Sequence, residues 1–327
     1  MRRRFLVITG MGVLAIALPA LSQQQTSKQF RIGFLVPGTA AAFASRLAAF
    51  NQGLKELGYV EGKNFVVEYR SADGNFERLR GLAAELVQLN PEVIVTLSTP
   101  PTQAVRQATS TIPIVMVSVG NPVETGLVAS LARPGGNVTG VANFVGDISA
   151  KQVHLLVSAV PKLSRVGVLM NPANPSSVLI FEGIQAAPPV TGVRILPFRA
   201  RTAEEIEQAF LKMSKDRAHA LVVLADGFYF QQRVQITALA AKARLPAIYN
   251  VREYVEVGGL MSYGANALWI ARRAAVYVDK ILKGAKPADL PVEQPNTVEL
   301  VINRKAAREL GIKFPSEVLV RADLVID

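Results

Sequence analysis

Residues 31–119 and 165–250 run twice through the same succession of segments. In the first pass, the apolar runs RIGFLV (31–36), NFVVEYR (64–70), VIVTL (93–97) and IPIVMVSV (112–119) have the look of strands. Amphipathic stretches separate them. Phe43, Leu47, Phe50, Leu54 and Leu57 recur at steps of four and three, one face of a helix that Gly58 closes. Leu79, Leu82, Leu86 and Leu89 make the next stripe, and Thr102–Thr109 reads as a short helix. The second pass answers with RVGVLM (165–170), VRILPFRA (193–200), a helical face of Ile206, Phe210 and Met213, then ALVVLAD (220–226), a helix over Gln232–Ala243, and LPAIYN (245–250). Gly33 and Gly167 are 134 residues apart, Val93 and Leu221 128, and Pro113 and Pro246 133. Strands separated by helices at this spacing predict an α/β chain of two similar lobes, each built on a parallel sheet.

Parallel sheets present their functional loops at the carboxyl ends of the strands, so two facing lobes would line one cleft with six such loops. These are VPGTAAAF, LSTPPTQ and SVGNPVETG in the first half, and MNPANPSS, LADGFYF and YNVREYV in the second. Hydroxyls, amides, aromatic faces and helix starts are the groups a binding cleft uses. Ser98 and Thr99, between VIVTL and the next helix, could receive a carboxylate or could simply cap that helix. Asp226 ends an apolar strand, where it could take an ammonium or cap the next helix. Asn174, Ser176 and Ser177 could hydrogen-bond a ligand or form a plain turn and helix start. Tyr249 and Tyr263 could stack on an apolar ligand part or belong to the core. Thr39 and Asn121 complete the candidates. Trp269 reads as packing in a helix over Ala267–Leu282.

The amino terminus has a different character. MRRRFLVITGMGVLAIALPALSQ joins three arginines, an apolar stretch from Phe5 to Leu18, the breaking Pro19 and a small-residue pattern at Ala20–Ser22. Residues 1–22 are therefore expected to be a secretory signal peptide, of Sec or twin-arginine type, too short for a comfortable membrane span. The formal charge of +11 belongs partly to this segment. Removing Arg2, Arg3 and Arg4 lowers the basic count from 36 to 33 against 25 acidic residues, or +8. The remaining basic residues are scattered without the aromatic interleaving that nucleic acid needs, so no nucleic-acid partner is expected. The chain has no cysteine, which excludes disulfides, thiolate metal sites and a cysteine nucleophile. Its two distant histidines, His154 and His219, make no metal-ligand spacing, and no cofactor is expected.

Several long blocks carry a resemblance. GLKELGYVEGKNFVVEYR, TIPIVMVSVGNPVETGLVASLARPGGNVTG, NPANP, LPAIYNVREYVEVGGLMSYG, YVDKILKGAKPADLPVEQP and ELVINRKAARELGI together span nearly all of the chain beyond the signal segment. They resemble the ABC-transporter substrate-binding protein family, in its type I periplasmic branch that includes the tryptophan/tyrosine-binding TrpX-like proteins. The resemblance implies two Rossmann-like lobes joined by three crossing segments, which close over a small ligand and deliver it to an ABC permease. Crossings are expected near Ala142–Ile148, Tyr254–Leu260 and Val292–Leu300. The first lobe would then hold residues 30–143 and 260–291, and the second 144–258 and 292–327. A periplasmic monomer is expected. Two loops depart from the family pattern: Asn121-Pro122 stands where many relatives carry an acidic residue, and Asp226-Gly227 where Asp-Pro is common.

The expected function is capture of an amino acid or a related aromatic or carboxylate compound, without chemistry. A periplasmic sensor presenting its ligand to a membrane receptor is the alternative on the same fold. An enzyme, such as a secreted hydrolase, is the weaker reading. There is no G-x-G-x-x-G after either first strand, no Walker lysine motif and no G-x-S-x-G, and nothing places two carboxylates together.

Overall fold

A computed structural model describes residues 29–143, 147–188 and 192–327 of the chain. The expected signal peptide falls on residues outside these. The first sheet contains β1 (Phe30–Val36), β2 (Phe65–Ser71), β3 (Val93–Leu97), β4 (Ile114–Val119) and β5 (Val138–Ala142) in the order β2-β1-β3-β4-β5. Every pairing in it is parallel. Helices α1 (Ala44–Glu56), α2 (Leu79–Gln88) and α3 (Thr99–Ala108) connect its strands. The second half begins with α4 (Asp147–Ala159), β6 (Arg165–Met170), α5 (Pro175–Ala186), β7 (Arg194–Arg199) and α6 (Ala203–Lys215). It continues with β8 (Ala220–Val223), α7 (Gly227–Gln231), α8 (Arg233–Lys242), β9 (Ala247–Tyr249), α9 (Glu253–Glu256) and β10 (Met261–Gly264). The long α10 (Ala267–Leu282) follows, then β11 (Glu299–Asn303), α11 (Arg304–Leu310), α12 (Ser316–Val320) and β12 (Leu324–Ile326).

The two-sheet α/β architecture expected from the repeated pattern is the one observed. Strands covered on both faces are near-continuous apolar runs, and β3 is buried at every position while β6 is buried at all but its first. Edge strands obey a looser rule. Pro197 sits in β7, at the end of the second sheet, where its missing N–H faces no further strand.

The second sheet has seven strands in the order β12-β11-β10-β9-β8-β6-β7, and β10 runs antiparallel to β11. That corrects one boundary. Residues 260–264 were expected in the first lobe, but β10 pairs with β9 and β11 and so completes the second sheet. The chain leaves that sheet at Ala265–Asn266, later than the expected crossing at Tyr254–Leu260. From there α10 packs on α1 and behind β4 and β5 of the first sheet. The α1–α10 contact is close enough to require glycine at position 53. A Cβ there would lie 2.7 Å from the Arg272 carbonyl oxygen and 2.8 Å from the Ala275 Cβ. After α10, Glu293 lies beside β5, exchanging backbone hydrogen bonds with Gly140 and Ala142 before the chain returns to β11. Arg273 of α10 clamps this segment through two 2.7 Å hydrogen bonds to the Glu293 carboxylate.

Among the described residues the buried apolar side chains form three clusters, one of which runs through both halves. It includes Phe43 from before α1 and Phe230 from α7, whose ring centroids lie 5.0 Å apart. The lobes are thus in contact around the strand ends. Among the described residues, no helix is long and apolar enough to cross a membrane.

Candidate functional site

The carboxyl ends of β3, β4, β6, β8, β9 and β10 converge on an enclosed cleft between the lobes. Polar bridges cross it. Thr99 Oγ1 at the start of α3 lies 2.7 Å from Ser176 Oγ in α5. The Ser176 hydroxyl also lies 2.6 Å from the Gly120 carbonyl oxygen after β4. On the rim, Gln231 Oε1 accepts the Thr39 N–H at 3.0 Å.

The first-sheet loops here hold unusual backbone conformations. Ser98 has φ 73° and ψ 166°, a region that glycine alone adopts readily. Ser118 and Asn121 also have positive φ, at 55° and 47°. Ser98 is held in place by its own N–H donating to Val117 and by its carbonyl accepting from the Thr102 hydroxyl. Non-glycine strain of about 1–3 kcal/mol per residue persists where surrounding contacts over-determine it, and such residues cluster at ligand sites.

Asp226 is the charged centre of the second-lobe wall. Its side chain caps α7 by accepting the Tyr229 N–H at 3.0 Å, and also accepts from Asn171 at 3.2 Å and Asn174 at 2.9 Å. It is 7 % exposed, and among the described residues no basic side chain pairs with it. Burial pushes its carboxyl above the ordinary range, while the hydrogen bonds from Asn174, Tyr229 and Asn171 oppose that shift. Asp226 is therefore both the helix cap and a cleft group.

On the first-lobe wall, Arg46 of α1 is buried against the second lobe. Its guanidinium lies 3.7 Å from the Phe230 ring centroid and 3.4 Å from a Glu253 carboxylate oxygen. Burial holds Arg46 below its ordinary value, and Glu253 works in the opposite direction. Arg46 Nε and Glu253 Oε2 are buried without a hydrogen-bond partner. From α4, Gln152 also reaches the cleft, next to Ser149.

The ten residues singled out from the sequence divide evenly. Ser98, Thr99, Asn174, Ser176 and Asp226 line the cleft. Ser177 is fully buried, its hydroxyl accepting the Asn171 N–H, and so shapes the loop from behind. Thr39 lies at the rim, and Asn121 turns its amide toward Glu124. Tyr249 is fully buried and stacked on Tyr254, with centroids 4.6 Å apart, while Tyr263 packs on the second-lobe core. Neither tyrosine lines the cleft. Phe43 and Phe230 end the expected cleft loops VPGTAAAF and LADGFYF without having been singled out, whereas Arg46 and Gln152 were not anticipated as cleft residues. Neither Arg46 nor Gln152 carries a sequence signal for this placement, since each reads as an ordinary polar position on a helix. Among the described residues no cluster of His, Asp and Glu could hold a metal ion.

Two lobes of predominantly parallel sheet that enclose a polar cleft at their strand ends have the architecture of a protein built to capture a small solute. The chain belongs to the ABC transporter substrate binding protein family, which it matches over residues 33–326. It is 26 % identical over 264 residues to a tyrosine-binding protein of Clostridioides difficile (strain R20291), covering 81 % of this chain and 76 % of that one. Among solved structures, an ABC domain from Streptococcus pneumonia in complex with L-Trp is 27 % identical, with a TM-score of 0.85 over 91 % of this chain and 100 % of that one. A conserved domain protein from Vibrio cholerae O1 biovar eltor is 30 % identical, with a TM-score of 0.84 over 91 % and 99 % of the two chains.

Proposed function

We propose that this chain is the extracytoplasmic solute-binding component of an ABC importer. In this reading it captures an amino acid with an aromatic side chain in the interlobe cleft and hands it unaltered to a membrane permease. The observation that carries the reading is Asp226, a buried carboxylate on the cleft wall with no basic partner among the described residues. A ligand ammonium would supply the missing charge, and the Arg46 guanidinium across the cleft would favour its carboxylate. Phe43 and Phe230 provide apolar surface for a ring. The tryptophan and tyrosine ligands of the two relatives agree with such a zwitterion. Ligand would stabilise the closed arrangement because only there do both walls contact it.

Calorimetry on the mature chain tests this with L-tryptophan, L-tyrosine and L-phenylalanine, and with indole-3-propionate as the amine-free control. At least one amino acid should bind and the control should not. Asp226→Ala should weaken binding by about 1.5–3 kcal/mol, the scale of a hydrogen bond to a charged group. Unchanged affinity would remove Asp226 from the site. Loss of uptake on deletion of the protein, restored by the wild-type chain, would separate import from sensing.

A further inference from the structure

We propose that Gln152 reads a second hydrogen-bond donor on the ligand, separate from its ammonium, and so selects aromatic amino acids bearing a ring N–H or O–H. The proposal rests on the aromatic amino-acid reading above. Gln152 lies on α4 and is 1 % exposed. Its Nε2 donates to the Tyr263 carbonyl at 2.7 Å and to the Tyr249 carbonyl at 3.3 Å. Those two bonds use both amide hydrogens, which fixes the orientation of the amide and makes the free atom the oxygen. Oε1 is buried and has no hydrogen-bond partner, and the residue lines the cleft. A buried acceptor left unmatched is costly, so the site favours a ligand that brings a donor to it.

The ammonium already has an acceptor in the Asp226 carboxylate. The carbonyls that hold Gln152 belong to β9 and β10, whereas Asp226 follows β8 on the far side of β9. Neighbouring strands lie about 4.8 Å apart, so the strand ends that hold the two groups are roughly one to two strand spacings from each other. An ammonium seated on Asp226 has its hydrogen-bonding reach there, while a tyrosine phenol or a tryptophan indole carries a donor far enough along the molecule to meet Gln152. A phenylalanine ring carries none.

The test is calorimetry on the mature chain with two matched pairs. These are L-tyrosine against L-phenylalanine, and L-tryptophan against 3-benzothienyl-L-alanine, in which sulfur replaces the ring N–H. In at least one pair the donor-bearing member should bind about 10- to 100-fold more tightly. Gln152→Met and Gln152→Leu, each checked for folding by thermal unfolding, should bring that ratio below about threefold by removing the acceptor. Equal affinities within both pairs on the wild-type chain would overturn the proposal and leave the aromatic amino-acid reading standing. A ratio that survives in a folded variant would overturn it too, since the donor is then read elsewhere. Failure of all four compounds to bind would overturn the amino-acid reading, and the role of Gln152 with it.

Discussion

Gly227 offers a way to separate closure from folding. It opens α7 in the second lobe, and its φ lies outside the positive range, so alanine meets no backbone strain there. A Cβ at this position would fall well inside contact distance of Pro37 Cγ. It would also lie 3.1 Å from Pro37 Cβ and 3.4 Å from Ser98 Cβ. All three atoms belong to the first lobe. Carbon atoms rest at about 3.5–4.0 Å, so alanine forces the lobes apart by up to about an ångström at this point. That displacement loosens the nearby 2.7 Å Thr99–Ser176 bridge as well. Overpacking of this kind costs about 1–3 kcal/mol, and here the cost falls on the closed arrangement alone. Ligand affinity should drop by about 5- to 150-fold, at 1.4 kcal/mol per factor of ten. The second lobe itself is not strained, because alanine adopts this backbone conformation freely. Gly227→Ala should therefore melt near the wild-type temperature without ligand, yet show a much smaller rise when L-tryptophan or L-tyrosine is added. Calorimetry and small-angle scattering at saturating ligand give the readout. Wild-type affinity together with a wild-type compact scattering profile would refute the wedge argument.

Other perturbations address the charges. Arg46→Met removes the interlobe cation–π contact and strands Glu253 as a buried unpaired carboxylate, so ligand affinity should fall about 10-fold or more by calorimetry. Glu253→Met in the same chain should restore thermal stability relative to Arg46→Met, while affinity stays low if the guanidinium itself contacts ligand. For Asp226 the sign of the pH effect differs between folding and binding. Its pKa is raised in the fold above the ordinary 3.8, so protonation favours the folded chain. This contribution to ligand-free stability is present at low pH and is lost as pH rises through the raised value. Binding of an ammonium needs the ionised form, so affinity should decline with falling pH while the medium is still above 3.8. Affinity that stays flat from pH 7 down to pH 4 would detach Asp226 from the ammonium.

The sequence made the sheets legible because doubly covered strands read as near-continuous apolar runs, as in VIVTL and RVGVLM. Connectivity between the lobes was less legible. The run MSYG carries no mark of which sheet it joins, since its place is set by pairing with β9 on one side and with residues 299–303, far along the chain, on the other. Tyr249 shows a related limit. Its position at a strand end suggested a ligand contact, but the side chain points into the stack with Tyr254 rather than into the cleft. A period-two pattern gives the two faces of a strand without saying which residue at its end turns toward solvent. Trp269 was expected to pack and is 42 % exposed on α10, because that helix spends its inner face on α1 and the first sheet.

The cleft residues missed from the sequence share one cause. Ser98, Thr99, Asn174, Ser176 and Asp226 lie in strand-end loops, so a rule about single sheets finds them. Arg46 and Gln152 sit within helices, and each acquires its role from chain distant in sequence. Arg46 reads as an ordinary polar position on α1 until the second lobe brings Phe230 and Glu253 against it. Gln152 reads the same way on α4 until the ends of β9 and β10 take both its amide hydrogens. In each case tertiary contact buries a polar group and leaves part of its hydrogen-bonding capacity unused, Nε in one and Oε1 in the other. Other buried side chains with an unpaired polar atom, among them Tyr69 and Gln235, do not line the cleft, so it is the position of Arg46 and Gln152 on its wall that connects these two to a ligand.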